Sequence, residues 1–131
     1  VERVVRAAAV TPLPKAPEVV TGVLDLQGRV LPVIDLRRRF RLPLRALRTS
    51  DQFVICRAGR LTVALGVDGT ESVEELPAEA AVPPGEIAPG LEFLAGVIRT
   101  ASGLVLIQDL ELLLFPDEEQ AVIGALQEVV V

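Results

Sequence analysis

The sequence predicts an all-β fold with a few short helices, built from two related halves. Short apolar runs rich in Val, Leu and Ile alternate with turns marked by Gly and Pro, as strands and hairpins do. One fifteen-residue pattern also occurs twice. Residues 22–36 and 96–110 both begin Gly-Val and end Asp-Leu, and each carries a glycine near its middle, Gly28 and Gly103. Each copy then enters a short apolar turn holding a Phe (Phe40, Phe115) and a Pro (Pro43, Pro116). The copies start 74 residues apart, which points to two small antiparallel β units. Short strands and frequent turns favour small barrels, which remove sheet edges by closure.

Taken in order, Val1, Val4 and Val5 among Glu2, Arg3 and Arg6 read as an edge strand or the end of a helix. Residues 11–17 hold three prolines and form a connector, since proline suits neither helix interiors nor central strands. Residues 18–36 make a hairpin turning at Gln27-Gly28, where glycine accepts the positive φ of a short loop. Pro32 removes one ladder donor, so the second strand is expected to be at an edge, or bulged, near that point. Asp35 suits a helix N-cap for a turn over residues 36–40, stopped by Pro43, and residues 41–50 read as an exposed connector.

A second hairpin spans residues 52–67 and turns at Gly59-Arg60. Residues 70–76 read as a shorter strand, and 77–90 as a long loop with a helical turn near 78–81. Residues 93–110 form the repeated hairpin, turning at 100–103. A helical turn over 110–115, with Asp109 as possible cap, ends at Pro116. A last helix starts at Asp117-Glu118-Glu119, where carboxylates suit the positive end of the dipole; Val122, Leu126 and Val129 give it an apolar stripe.

Composition narrows the function. The chain has 131 residues, half of them hydrophobic, enough for a real core and unlike a disordered segment. No apolar run reaches the ~18 residues of a membrane span, and no secretory leader is visible, so a cytoplasmic location without membrane insertion is expected. The chain has no His, Met, Trp or Tyr and one Cys. The commonest general base and metal ligand is therefore missing, and zinc sites of the Cys/His type are excluded by count. Cys56 sits in a strand and reads as a buried, inert thiol. Of the carboxylate clusters, Glu74-Glu75 would point to opposite strand faces, and the others read as helix starts.

The charge is polarised. Residues 1–60 hold twelve Lys/Arg and five Asp/Glu, a balance of +7, while residues 61–131 hold one and thirteen. Arg37, Arg38, Arg39, Arg41, Arg45 and Arg48 form the strongest charge feature. It is a solvated face, a protein contact or a nucleic-acid strip. A barrel that binds nucleic acid normally offers aromatic stacking platforms, and the only aromatics are Phe40, Phe53, Phe93 and Phe115, all at apolar positions. Net acidity also argues against nucleic acid.

The hairpin at 22–36 followed by RRRF and a Pro resembles the CheW-like family of chemotaxis coupling proteins. Residues 61–76, LTVALGVDGTESVEEL, and 93–114, FLAGVIRTASGLVLIQDLELLL, resemble later parts of the family pattern in the same order, and residues 1–17 resemble its first proline-containing loop. The resemblance implies one domain over residues 1–131, with two five-stranded SH3-like barrels packed together and the second mainly about 35–96. It implies a non-enzymatic adaptor without cofactor, joining the cytoplasmic tips of chemoreceptors to the regulatory domain of the histidine kinase CheA. Rival readings are a paralogue serving twitching or surface motility, a regulatory module of a CheA-type kinase and, outside the family, a small barrel that binds nucleic acid.

Two departures bear on partner contact. The family commonly has Asn-x-Arg-Gly at the hairpin turn, where this chain has Asp25, Leu26, Gln27 and Gly28; Arg29 lies one place later, on the other strand face. The family's first strands should also precede Val1, so the first barrel is expected to be incomplete and to pair edges or exchange strands with a second copy. Candidate partner-binding residues carried over from the resemblance are Val1, Arg3, Val4, Asp25, Gln27 and Arg29.

Overall fold

The computed structural model describes residues 1–71, 81–82, 94–100, 103–108 and 110–129. The chain divides into two compact units, Val1–Thr70 with Leu114–Val131, and Glu71–Leu113. Most described elements are strands.

In the first unit, β1 (Arg3–Arg6), β2 (Val20–Leu26), β3 (Arg29–Asp35), β4 (Gln52–Ala58) and β5 (Leu61–Val67) form one mixed sheet in the order β1-β4-β5-β3-β2. The β3–β5 pair is parallel, Val33 opposite Ala64 and Asp35 opposite Gly66, and the other pairs are antiparallel. β4 and β5 share a sheet with both strands of the first hairpin.

The N-terminal segment closes this sheet. β1 pairs with β4 at one edge, Arg3 opposite Ile55 and Arg6 opposite Gln52. A few residues on, Thr11 and Val23 exchange both backbone hydrogen bonds at the β2 edge, at 3.0 and 2.7 Å. One length of chain thus lies against both edges of the sheet. The approach at the seam is tight: a Cβ on Gly22 would lie 2.2 Å from the Thr11 carbonyl oxygen. Inside, Leu24, Leu31, Val33, Phe53, Ile55 and Ala64 form the core, with Val5, Ala7, Val10 and Leu26 packed against it. The strand alternation puts Val23, Pro32, Ile34, Cys56 and Val63 on the outer side, also buried, which is why these runs look apolar throughout rather than alternating.

Pro32 is accommodated without an edge. β3 is flanked by β2 and β5, but its pairing with β5 begins only at Val33. On the other side Pro32 faces Val23, whose N–H and carbonyl both go to Thr11. No ladder bond asks for the missing proline N–H. The bulge lies in β2, between Val20 and Gly22.

Asp35 caps α1 (Leu36–Arg39): its Oδ1 accepts the Arg37 N–H at 2.9 Å. α1 ends by reversing through Arg41, at φ 56°, with the Leu42 N–H donating to the Arg37 carbonyl and the Arg41 N–H to that of Arg38. This is a Schellman closure with arginine where glycine is usual. α2 (Pro116–Val129) opens on its proline, with Glu118 accepting the Phe115 N–H at 2.8 Å. Pro116 thus begins the last helix rather than only ending the turn before it. Glu118 pairs with Arg39, Glu119 with Arg60 and Glu128 with Lys15. Val122 and Ala125 are the buried face of α2, while Leu126 is half-buried. Of the four phenylalanines, Phe53 is buried, but Phe40 and Phe115 are 37% and 45% exposed, against the expectation that all lie at apolar positions; Phe93 lies outside the described residues.

In the second unit, β6 (Ala81–Val82), β7 (Leu94–Thr100) and β8 (Gly103–Gln108) form an antiparallel sheet in that order, and a 3-10 turn follows at Leu110–Leu112. Ala81 is strand where a helical turn was expected. The expected strand over 70–76 and the Asp109 cap fall mainly outside the described residues, and Thr70 and Glu71 are irregular.

The repeat is present in the pairing itself. Gly22 faces Val33 and Leu26 faces Arg29, while Gly96 faces Ile107 and Thr100 faces Gly103. These registers coincide at the 74-residue offset, and each hairpin has its irregularity immediately before the Gly-Val, between Val20 and Gly22 and between Leu94 and Gly96. The two central glycines are not equivalent, however. Gly28 is a turn residue at φ 87°, whereas Gly103 opens β8 and matches Arg29.

Candidate partner-binding surface

The β2–β3 hairpin ends in a two-residue loop whose residues both have positive φ, Gln27 at 53° and Gly28 at 87°. This is the turn whose twist suits adjoining antiparallel strands. Asp25 fixes it from the side, its Oδ1 accepting the Gly28 N–H at 3.0 Å. Gln27 therefore projects from the tip of the barrel, exposed.

Barrel closure brings the N-terminus to this tip. The Glu2 N–H donates to the Ile55 carbonyl at 2.7 Å, extending β1 by one residue. Glu2 Oε2 then meets Arg29 Nη1 at 3.1 Å. That hydrogen bond holds the Glu2 carboxyl below its ordinary pKa. Arg29 faces Leu26 across the hairpin and so extends from the end of the barrel, not from the position of Gln27. Val1 is 82% exposed, and Val4 and Val30 about 40% each. Val30 sits opposite Asp25, and Val4 opposite Val54 on β4.

The six residues singled out from the sequence thus divide. Asp25, Gln27 and Arg29 share the hairpin tip, and Arg29 is tied to the segment carrying Val1, Arg3 and Val4 through Glu2. Sequence reasoning missed Glu2 and Val30. Val30 was readable as the outward partner of Asp25 once the hairpin register is drawn. Glu2 was not, because its contact spans 27 residues and exists only through closure.

Cys56 is fully buried in β4, and burial pushes its thiol pKa up, so it stays protonated. Among the described residues, no group of three or more His, Cys, Asp or Glu could hold a metal ion. No described helix is long and apolar enough to cross a membrane.

A small closed barrel with an exposed hairpin tip defines a protein-interaction module. The chain belongs to the CheW-like domain family, whose model matches residues 1–116. It is 27% identical over 126 residues to the chemotaxis protein CheW of Treponema pallidum, covering 92% of this chain and 74% of that one. It is 31% identical over 111 residues to the chemotaxis protein CheW of Klebsiella aerogenes, covering 83% and 67% respectively. Among solved structures it resembles the scaffolding protein TtCheW from Thermoanaerobacter tengcongensis, with a TM-score of 0.78 at 25% identity, over 89% of this chain and 77% of that one.

Proposed function

We propose that this protein is a chemotaxis adaptor that couples the cytoplasmic tips of chemoreceptors to a CheA-type histidine kinase, acting by binding and without chemistry of its own. Membership of the CheW-like family and the relatives named as chemotaxis proteins support this reading. On this view residues 1–131 act as one domain in the cytoplasm. The observation that carries the choice of surface is the Glu2–Arg29 pair, which sets the N-terminal valines beside the hairpin tip. We place the contact with the kinase regulatory domain there, with Val1, Val4 and Val30 supplying apolar area and Arg3, Asp25, Gln27 and Arg29 giving orientation.

The test is gel filtration of the protein with a CheA-type regulatory domain and a receptor-tip fragment. A complex is expected. Val30→Glu puts a charge into the exposed apolar area and should weaken kinase binding by about tenfold, or about 1.4 kcal/mol, with an unchanged melting temperature. A folded protein that shifts neither partner would sink the adaptor reading. Edge pairing or strand exchange between two copies is a second proposal; sedimentation showing a monomer at high concentration counts against it.

A further inference from the structure

The last helix, α2, is fastened to the first unit mainly through its first turn. Glu119 reaches the β4–β5 turn, where its Oε1 accepts from Arg60 Nε at 2.5 Å and its Oε2 from the Arg60 N–H at 3.2 Å. The fit is close: Gly59 holds φ 61°, and a Cβ there would run into the same carboxylate. Beside it Glu118 pairs with Arg39 of α1.

Beyond that turn the fastening is thin. Among the described residues of α2, Val122 and Ala125 are the buried side chains, with Ile123 and Leu126 half-buried. At the far end Glu128 meets Lys15 at 3.2 Å, but both side chains are more than half exposed, and such pairs contribute little. No basic residue in the last turn offsets the negative end of the helix dipole.

The helix is also weak in itself. Gly124 stands near its middle, exposed, with nothing within 4 Å of where a Cβ would lie. Neither packing nor a turn requires glycine there, and in a helix interior it costs about fivefold in the folding equilibrium against alanine. Fourteen residues are few for a helix standing alone in water, so α2 off the barrel unwinds. The family match stops at residue 116, where α2 begins, so Gly124 lies outside the shared pattern.

We propose that α2 is a releasable strap: it leaves the barrel and unwinds as one unit while β1–β5 stay folded, and the Glu119–Arg60 latch sets how often. Segments with little buried apolar area are the ones that open first in a native protein. Release uncovers Val122 and Ala125 and frees the Gly59-Arg60 turn, and a partner that bound either surface would hold the strap open. The strap follows from the fold, whatever partner the chain serves.

Native-state hydrogen exchange of the full chain tests it, read by NMR at the amides of residues 120–126 and of β4 and β5. In the parent, the α2 amides should share one level of protection, at least about tenfold below that of the strand amides. Ile55→Val thins the barrel core and should speed the β4 and β5 amides about fivefold while leaving those of α2 unchanged. Arg60→Ala alters only the hairpin side of the latch, yet should speed the α2 amides about fivefold. Gly124→Ala should slow them about fivefold. If the α2 amides follow Ile55→Val as the strands do, the helix opens only with the barrel and the proposal falls. Indifference of α2 to Arg60→Ala overturns it as well, since the latch would then fasten nothing. Protection that declines steadily toward residue 126 overturns it too, reducing release to fraying of the helix end.

Discussion

Asp51 shows how much one side chain can organise. Its carboxylate gathers Arg45 and the Arg48 backbone, and Arg45 carries the link on to Asp68. The Arg45 bonds, with that of Arg48, lower its pKa from 3.8 to about 2. A carboxylate with a folded pKa below its unfolded one stabilises fully above the unfolded value and loses this as pH falls through the folded one. The stability Asp51 provides is thus complete above pH ~5, falls progressively below that, and is gone near pH ~1. Melting curves of the parent and Asp51→Asn should differ most above pH ~5 and converge only as pH falls through ~2 toward ~1. A gap constant across that range would remove Asp51 from the account. Asp51 was not singled out from the sequence, where it stands at the end of a polar connector. Asp35 was, because a carboxylate before a helical turn is a local signal, and its bond to the Arg37 N–H follows.

The hairpins were the most legible elements, since alternation, turn glycine and repeat all report on neighbours close in sequence. The Gln27-Gly28 turn and the fifteen-residue repeat both appear in the backbone, the repeat down to matching registers. The parallel pairing of β3 with β5 was not legible. Nothing in an apolar strand names its second neighbour, and Pro32 suggested an edge that closure made unnecessary. Of the candidate site, the tip was readable from the turn and the family pattern, but its tie to the N-terminus was not. The seam where β2 meets Thr11 yields a sharp test. Gly22→Ala would drive a methyl against the Thr11 carbonyl oxygen, a backbone atom held by the bridge itself. We expect a loss of about 2–3 kcal/mol and a melting temperature about 10 °C lower, measured by calorimetry. Gly28→Ala, with nothing within 4 Å of the added carbon, carries only the backbone cost of its positive φ, about 1 kcal/mol.

Across the first unit, residues 1–11 act as the clasp of the barrel, meeting β4 on one side and β2 on the other. Deleting them should expose both edges together. The shortened chain is expected to lose cooperative melting and to aggregate, and a sharp unfolding transition at the parent temperature would show that the clasp is dispensable. The clasp also has a consequence in time. The β2–β3 and β4–β5 hairpins join residues near in sequence and can form as soon as they are made, but Arg3 meets Ile55 only after some fifty further residues exist. β1 is therefore made well before the strand it pairs with. Until then the chain carries an unmatched strand that a nascent neighbour can capture.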